Sequence, residues 1–198
     1  MSLLFIEISD FIGQINLDLS SDSNVIAQFE AFGRDIEEEI LKELLNDKLY
    51  SDLIADLDGN EDPQTQIYID LVDGKEYTNP IGQTIIYEGL KKMLRFFIYE
   101  EYLDFIYSQN TSTGQMSSQN ENSIPLTRGQ LRKVRARIQN KAVKLYHKAA
   151  IFINDNYTDY FTGTDYAYWR PKEKRFLGKI TTSTYSNSYF YNRSSEGN

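Results

Sequence analysis

At 198 residues the chain is long enough for one domain with a proper core and an appendage. It has no cysteine and a single histidine, His147, which rules out disulfides, thiolate metal sites and nucleophiles, multi-histidine metal centres and paired-histidine acid–base catalysis. The net charge of −8 hides a polarity: residues 1–104 hold 23 acidic against 7 basic side chains, and residues 127–198 hold 5 against 14.

Two halves of opposite charge can pair inside one fold, or head to tail between copies. No stretch is long and apolar enough for a membrane span. Residues 3–6, the longest apolar run near the N-terminus, lack the basic flank of a signal peptide, so synthesis in a cytoplasm is the expectation.

Residues 3–19 commit to no single period, and an N-terminal arm or an edge strand is expected over 1–23. Ser20-Ser21-Asp22-Ser23 supplies helix-capping residues, after which Ile26, Phe29, Phe32, Ile36, Ile40 and Leu44 recur at spacings of three and four. That spacing predicts an amphipathic helix over 24–45, with Gly33 on the apolar face. Glu37-Glu38-Glu39 is expected to lie on its outer surface, solvated or facing a basic partner. Leu49, Leu53, Ile54 and Leu57 predict a second helix over 48–57.

The acidic run Asp58 to Pro63 lacks the ligand spacing of a calcium loop and reads as a plain loop. Residues 64–72 fit helix and strand equally. Asp73-Gly74 and Asn79-Pro80-Ile81-Gly82 are turn signals, and the second joins two β-prone runs into a hairpin over 75–87.

The next helix, 88–107, is the most apolar in the chain. Leu90, Met93, Leu94, Phe97 and Ile98 form one stripe and Tyr99, Tyr102, Leu103 and Ile106 another, so two different neighbours are expected and the helix becomes the centre of the core. Lys91, Lys92 and Arg95 near its start and Glu100, Glu101 and Asp104 near its end oppose the helix dipole. Either partners outside the helix or solvent must offset them.

Residues 108–126 are polar enough to stay mobile unless a partner orders them. Thr127 and Gln130 match a capping box and open a long helix. Its apolar seam is Leu131, Val134, Ile138, Ala142, Leu145, Ala149 and Phe152, and beside it run Lys133, Arg137, Lys141, Lys144 and Lys148. Such a stripe can follow phosphates non-specifically or oppose acidic protein; nothing beside it resembles a base-reading recognition helix. His147 reads as a surface residue.

From Tyr157 onward the chain is rich in aromatics spaced by Ser, Thr and Asn, a composition suited to interfaces, and is expected to form an extended arm over 157–198 unless it is a disordered tail. The partner-contact candidates are Tyr77 and Ile81 in the hairpin, and Tyr168, Trp169, Phe176, Tyr185, Tyr189, Phe190 and Tyr191 in the arm. The expected architecture is mainly α: a bundle of about four helices over 24–156, a short β-hairpin insertion and an aromatic C-terminal arm. No paired acid and base, phosphate loop or nucleophile motif stands out, so no catalytic residue, metal ligand or cofactor is assigned and an enzyme is not expected.

The pattern Asp-Gly-x-x-Tyr at Asp73 to Tyr77, then Tyr-x-Gly-Leu-x-x-Met-Leu at Tyr87 to Leu94, the aromatic-rich helix, the Thr111-Ser112-Thr113-Gly114 loop and the alanines of the long helix resemble the head-tail connector proteins of tailed bacteriophages, most closely those of short-tailed crAss-like phages. The similarity covers about residues 24–154. It implies a structural protein of the virion neck that forms a homo-oligomeric ring, twelvefold in such connectors, beneath the portal protein. Such a ring carries other neck or tail proteins and surrounds the DNA exit path. A small helical regulator that binds nucleic acid through residues 128–148 is the alternative.

Overall fold

The computed structural model describes residues 4–11, 23–107, 110–111, 114–115, 128–161 and 169; the side chains of 23–25, 104–107, 110–111, 114–115 and 128 are not included. The order of elements is a 3-10 turn (Ile8–Phe11), α1 (Ser23–Ala55), α2 (Gln66–Asp73), β1 (Lys75–Thr78), β2 (Thr84–Tyr87), α3 (Gly89–Tyr107), β3 (Asn110–Thr111), β4 (Gly114–Gln115), α4 (Arg128–Asp155) and α5 (Tyr157–Tyr160). The fold is mainly helical, with a two-stranded antiparallel hairpin inserted between α2 and α3.

The two helices expected over 24–57 run together as α1, with a break in the helical backbone at Asn46 (φ 61°). With ψ at 171° the residue lies outside the left-handed helical well, in a region that L-residues seldom enter, and the helical hydrogen-bond run is interrupted there. Phe29, Ile36, Ile40 and Leu44 before the break and Leu49 and Leu53 after it are all buried, as their spacing predicts. The ambiguous stretch 64–72 resolves as helix. Ile67, Tyr68, Leu71 and Val72 then share one side, and α2 lays that side on α3, a packing that a strand could not make.

α3 is the hub, with α1, α2 and α4 all resting on it. Leu90, Met93, Leu94, Phe97 and Ile98 are buried, and Leu103 is buried on the second stripe, so one helix does serve several neighbours. Its misplaced charges find partners elsewhere in the fold. Lys91 pairs with Asp73 at 2.8 Å, Arg95 donates to the Asp10 carbonyl at 2.6 Å, and Glu100 accepts from Arg135 at 2.8 Å. Glu88, just before the helix, accepts from Lys148 at 2.8 Å and from Lys92, and these two ammonium groups lower its carboxyl to about 2. Since Arg135 sits by Glu100 and Lys148 by Glu88, α4 runs antiparallel to α3, and part of the chain's charge polarity is spent across this seam.

The N-terminal arm is not an edge strand. Residues 4–11 form an irregular strap ending in the 3-10 turn, with Leu4, Phe5, Ile6 and Phe11 buried. Phe11 meets Phe29 edge-on at 5.4 Å, and Phe29 in turn meets Tyr102 at 4.9 Å. Glu37, expected on the outer surface of α1, is instead fully buried beneath the strap, where its carboxylate accepts the backbone N–H groups of Leu4 (2.5 Å) and Phe5 (3.3 Å). A strap that crosses a helix with its own N–H groups turned inward needs an acceptor there, and Glu37 supplies one. Removal from water pushes its carboxyl up to about 7, against the lowering effect of those two hydrogen bonds and of Arg34.

At the other end, the chain does not leave the body at Tyr157. α5 follows directly on α4, and Tyr160 is buried with its hydroxyl donating to the Ile67 carbonyl at 3.0 Å. Within the loop expected to be mobile, Asn110–Thr111 pairs antiparallel with Gly114–Gln115; the remainder of 108–126 lies outside the described residues.

Candidate partner-binding surfaces

The hairpin is held by two glycines and two tyrosines. Gly74 (φ +92°) ends α2 and Gly89 (φ +79°) begins α3, and their backbones lie against each other where the hairpin enters and leaves the helical body. A Cβ on Gly89 would stand 2.5 Å from the Asp73 carbonyl carbon, and one on Gly74 would stand 2.7 Å from the Gly89 nitrogen. The glycines of the Asp-Gly-x-x-Tyr and Tyr-x-Gly-Leu motifs therefore have a backbone reason to be there.

The register pairs Tyr77 with Ile85 and Lys75 with Tyr87 on the inner face. Tyr87 stacks on Phe152 of α4 with ring centroids 4.1 Å apart and donates its hydroxyl to the Leu71 carbonyl at 2.9 Å. Tyr77 meets the same Phe152 edge-on at 5.0 Å and donates to Asp155 at 3.0 Å. Burial raises both tyrosine hydroxyls above their usual range, helped in Tyr77 by Asp155.

The outer face and tip are different. Ile86, paired with Glu76, is 67% exposed, and Ile81 at the tip is 77% exposed. The tip is nevertheless firmly built: Gly82 N–H donates to the Asn79 carbonyl at 2.9 Å, and the Asn79 side-chain oxygen accepts from Ile81 (3.2 Å) and Gln83 (2.8 Å). A preformed turn that presents large aliphatic side chains to solvent is suited to insertion into an apolar recess. Of the hairpin's two sequence candidates, Ile81 is accessible and Tyr77 is not: its ring belongs to the core contact with Phe152. Ile86 was missed. The alternation in Thr84-Ile85-Ile86-Tyr87 carries the signal, because once Tyr87 faces inward Ile86 must face outward.

In the C-terminal section Trp169 is likewise a core residue. It is 4% exposed, its indole N–H donates to the Leu44 carbonyl at 3.0 Å, and Phe161 lies 5.8 Å away. An aromatic-rich composition does not distinguish a ring that packs on its own body from one that awaits a partner. Tyr168, Phe176, Tyr185, Tyr189, Phe190 and Tyr191 lie outside the described residues.

The basic stripe of α4 divides in two. Lys148 is engaged by Glu88, and Lys141 sits over the Phe96 ring at 4.3 Å. Lys133, Arg137 and Lys144 are exposed and form no ion pair among the described residues. No acidic residue occurs in α4 before Asp155 to neutralise them. His147 is exposed too, beside the Tyr146 ring. Among the described residues no helix is long and apolar enough to cross a membrane, and no group of three or more His, Asp or Glu side chains is placed to hold a metal ion.

The fold and these surfaces describe a helical body that offers an apolar β-tip and a cationic helix face. The chain belongs to a family of unknown function, DUF6712, whose pattern matches residues 41–174. That span takes in the second part of α1, both hairpin glycines, α3 and α4. No curated protein and no solved structure matches the chain.

Proposed function

We propose that the chain is a structural subunit of a virion neck, a connector that sits as a ring beneath the portal protein of a tailed bacteriophage, around the DNA exit path, and carries other neck or tail proteins. The observation that carries this reading is the division of labour among side chains. The buried polar groups Glu37, Glu100, Tyr77 and Tyr87 each hold one element of the fold to another. Among the described residues, the large exposed aliphatics of the hairpin and the cations of α4 are groups suited to contact. The sequence resemblance supports the same reading independently.

In this reading the hairpin tip enters an apolar recess of the portal. Replacing Ile81 and Ile86 together by Asp should therefore weaken capture of purified portal protein by tenfold or more, since each aliphatic side chain is worth about 1.5 to 3 kcal/mol on burial. Both side chains point into solvent, so the core is untouched, and the variant should fold with a slightly lower melting temperature because the new carboxylate at 86 stands opposite Glu76 across the hairpin. Capture of portal at parental strength by this variant would remove the hairpin from the interface, and failure of the parent chain to capture portal would count against the connector itself.

The second reading, a nucleic-acid-binding regulator, is favoured by one observation, the cluster Lys133, Arg137 and Lys144 with no acid near it in sequence.

A further inference from the structure

We infer that the strap of residues 4–11 is a pH-gated latch: its N-terminal end lifts off α1 when the Glu37 carboxyl loses its proton, while its far end stays anchored at Phe11. The latch is a property of a single chain and stands whether or not that chain is a connector.

The two ends of the strap are held by different chemistry. At the near end Leu4, Phe5 and Ile6 are buried, and the backbone meets α1 through one carboxyl group, that of Glu37, which accepts the N–H of Leu4 at 2.5 Å and of Phe5 at 3.3 Å. The far end is held by ring packing and by an arginine. Phe11 meets Phe29 edge-on at 5.4 Å, and Arg95 of α3 donates to the Asp10 carbonyl at 2.6 Å.

Among the described residues no ion pair reaches Glu37, although it is fully buried. Arg34 on the same helix is the cation that favours its charged form, yet that guanidinium is bound to Glu61 at 3.1 Å and lies 3.7 Å from Glu38. Glu61 itself favours the protonated form. Tyr50 also feels the Glu37 charge, but burial raises its hydroxyl above the usual range and it stays neutral near pH 7. The strap's own acids turn to the strap: Asp10 accepts the Glu7 N–H at 2.9 Å, and Glu7 accepts the Ser9 hydroxyl at 3.0 Å. Arg95, the cation that α3 presents to the strap, is spent on the Asp10 carbonyl.

A carboxylate in this position loses its water and gains two N–H donors, and the loss outweighs the gain. With the strap down the group sits at about 7, against 4.5 in water. Lifting the near end returns it to water, so ionisation favours the raised strap. The closing equilibrium then falls as pH rises through this window and levels off above about 7. At roughly tenfold per pH unit within the window, the change between pH 5 and pH 8 is about 70-fold. The anchor at Phe11 and Arg95 does not depend on Glu37, which makes residues 4–6 a flap hinged on the 3-10 turn.

The chain has no cysteine, so Leu4→Cys places a single thiol under the flap. Its rate of reaction with a thiol reagent, divided at each pH by that of a short peptide carrying the same cysteine, measures how often the near end is up. In the full-length protein this ratio should rise about 70-fold between pH 5 and pH 8, with most of the rise below pH 7. Adding Glu37→Gln should flatten it, because the amide keeps an acceptor for the strap and has no proton to lose. Ile8→Cys, in the 3-10 turn, should show no comparable rise. A ratio that does not change with pH, the same rise in the Glu37→Gln background, or an equal rise at positions 4 and 8 would each overturn the latch. Should Leu4→Cys free the strap at every pH even with Glu37→Gln, Ile6→Cys takes its place and the same three outcomes decide.

Discussion

Gly89→Ala should unfold much of the protein's stability margin, and Gly74→Ala should do the same. Each position combines a positive φ with a backbone packed where a methyl group would go. The left-handed conformation costs an L-residue about 1 to 2 kcal/mol. Forcing apart the backbone of residues 72–74 and 87–89 adds roughly 1 to 3 kcal/mol, so the total of about 2 to 5 kcal/mol is a large fraction of what a domain of this size has to spare.

Gly82 provides the internal control. It also has a positive φ of 83°, but nothing lies within 4 Å of its missing Cβ, so Gly82→Ala should cost only the conformational part. Urea unfolding of the three variants measures the difference. If Gly89→Ala and Gly82→Ala lose the same amount, close backbone packing at the base of the hairpin is not what positions it.

Glu37 should make the parent chain less stable as the pH rises from about 5 to about 7. In the folded state its carboxyl sits at about 7, against 4.5 when exposed, so over that window the unfolded chain ionises while the folded chain holds its proton. Stability then falls with pH, by about 1.4 kcal/mol per pH unit and about 3 kcal/mol in all, and levels off once both states are charged. The sign is opposite to that of Glu88, whose lowered carboxyl contributes stability that is present above 4.5 and lost as pH falls towards 2.

Glu37→Gln keeps an oxygen for the Leu4 and Phe5 N–H groups but cannot ionise. Relative to the parent it should gain stability steadily between pH 5 and pH 7 and by a constant amount above. Denaturant curves at pH 5, 6, 7 and 8 compare the two. Parallel profiles would mean that the carboxylate under the strap is not held neutral by burial.

Much of the fold was legible because its signals are periodic. The spacing of Phe29, Ile36, Ile40 and Leu44 gave α1, the doubled stripe of α3 gave its central place, and Asn79 to Gly82 gave the hairpin turn. Where periodicity was ambiguous, tertiary contact decided, as at α2, whose buried Leu71 and Val72 needed α3 to choose helix over strand.

The surfaces were harder to read, because type and burial part company there. Glu37 looks like one of three surface acids until a strap brings unpaired N–H groups over it. Trp169 and Tyr77 look like interface aromatics until Leu44 and Phe152 receive them. Ile81 at the turn was legible as a contact candidate, whereas Ile86 looks like a core aliphatic, yet a two-stranded hairpin has one face too many to bury. The halves of opposite charge were plain in the sequence, but only the antiparallel seam of α3 and α4 separates the cations already used, at Arg135 and Lys148, from those left over.

Cryo-electron microscopy of the neck in tailed-phage particles that encode the chain is the most direct test of its proposed role as a connector. The expected density is a closed ring of copies below the portal, with α3 at the centre of each subunit and the Ile81 and Ile86 side chains covered by a neighbouring protein. Purified particles that lack the chain, or that hold it away from the portal with both isoleucines open to solvent, would contradict it.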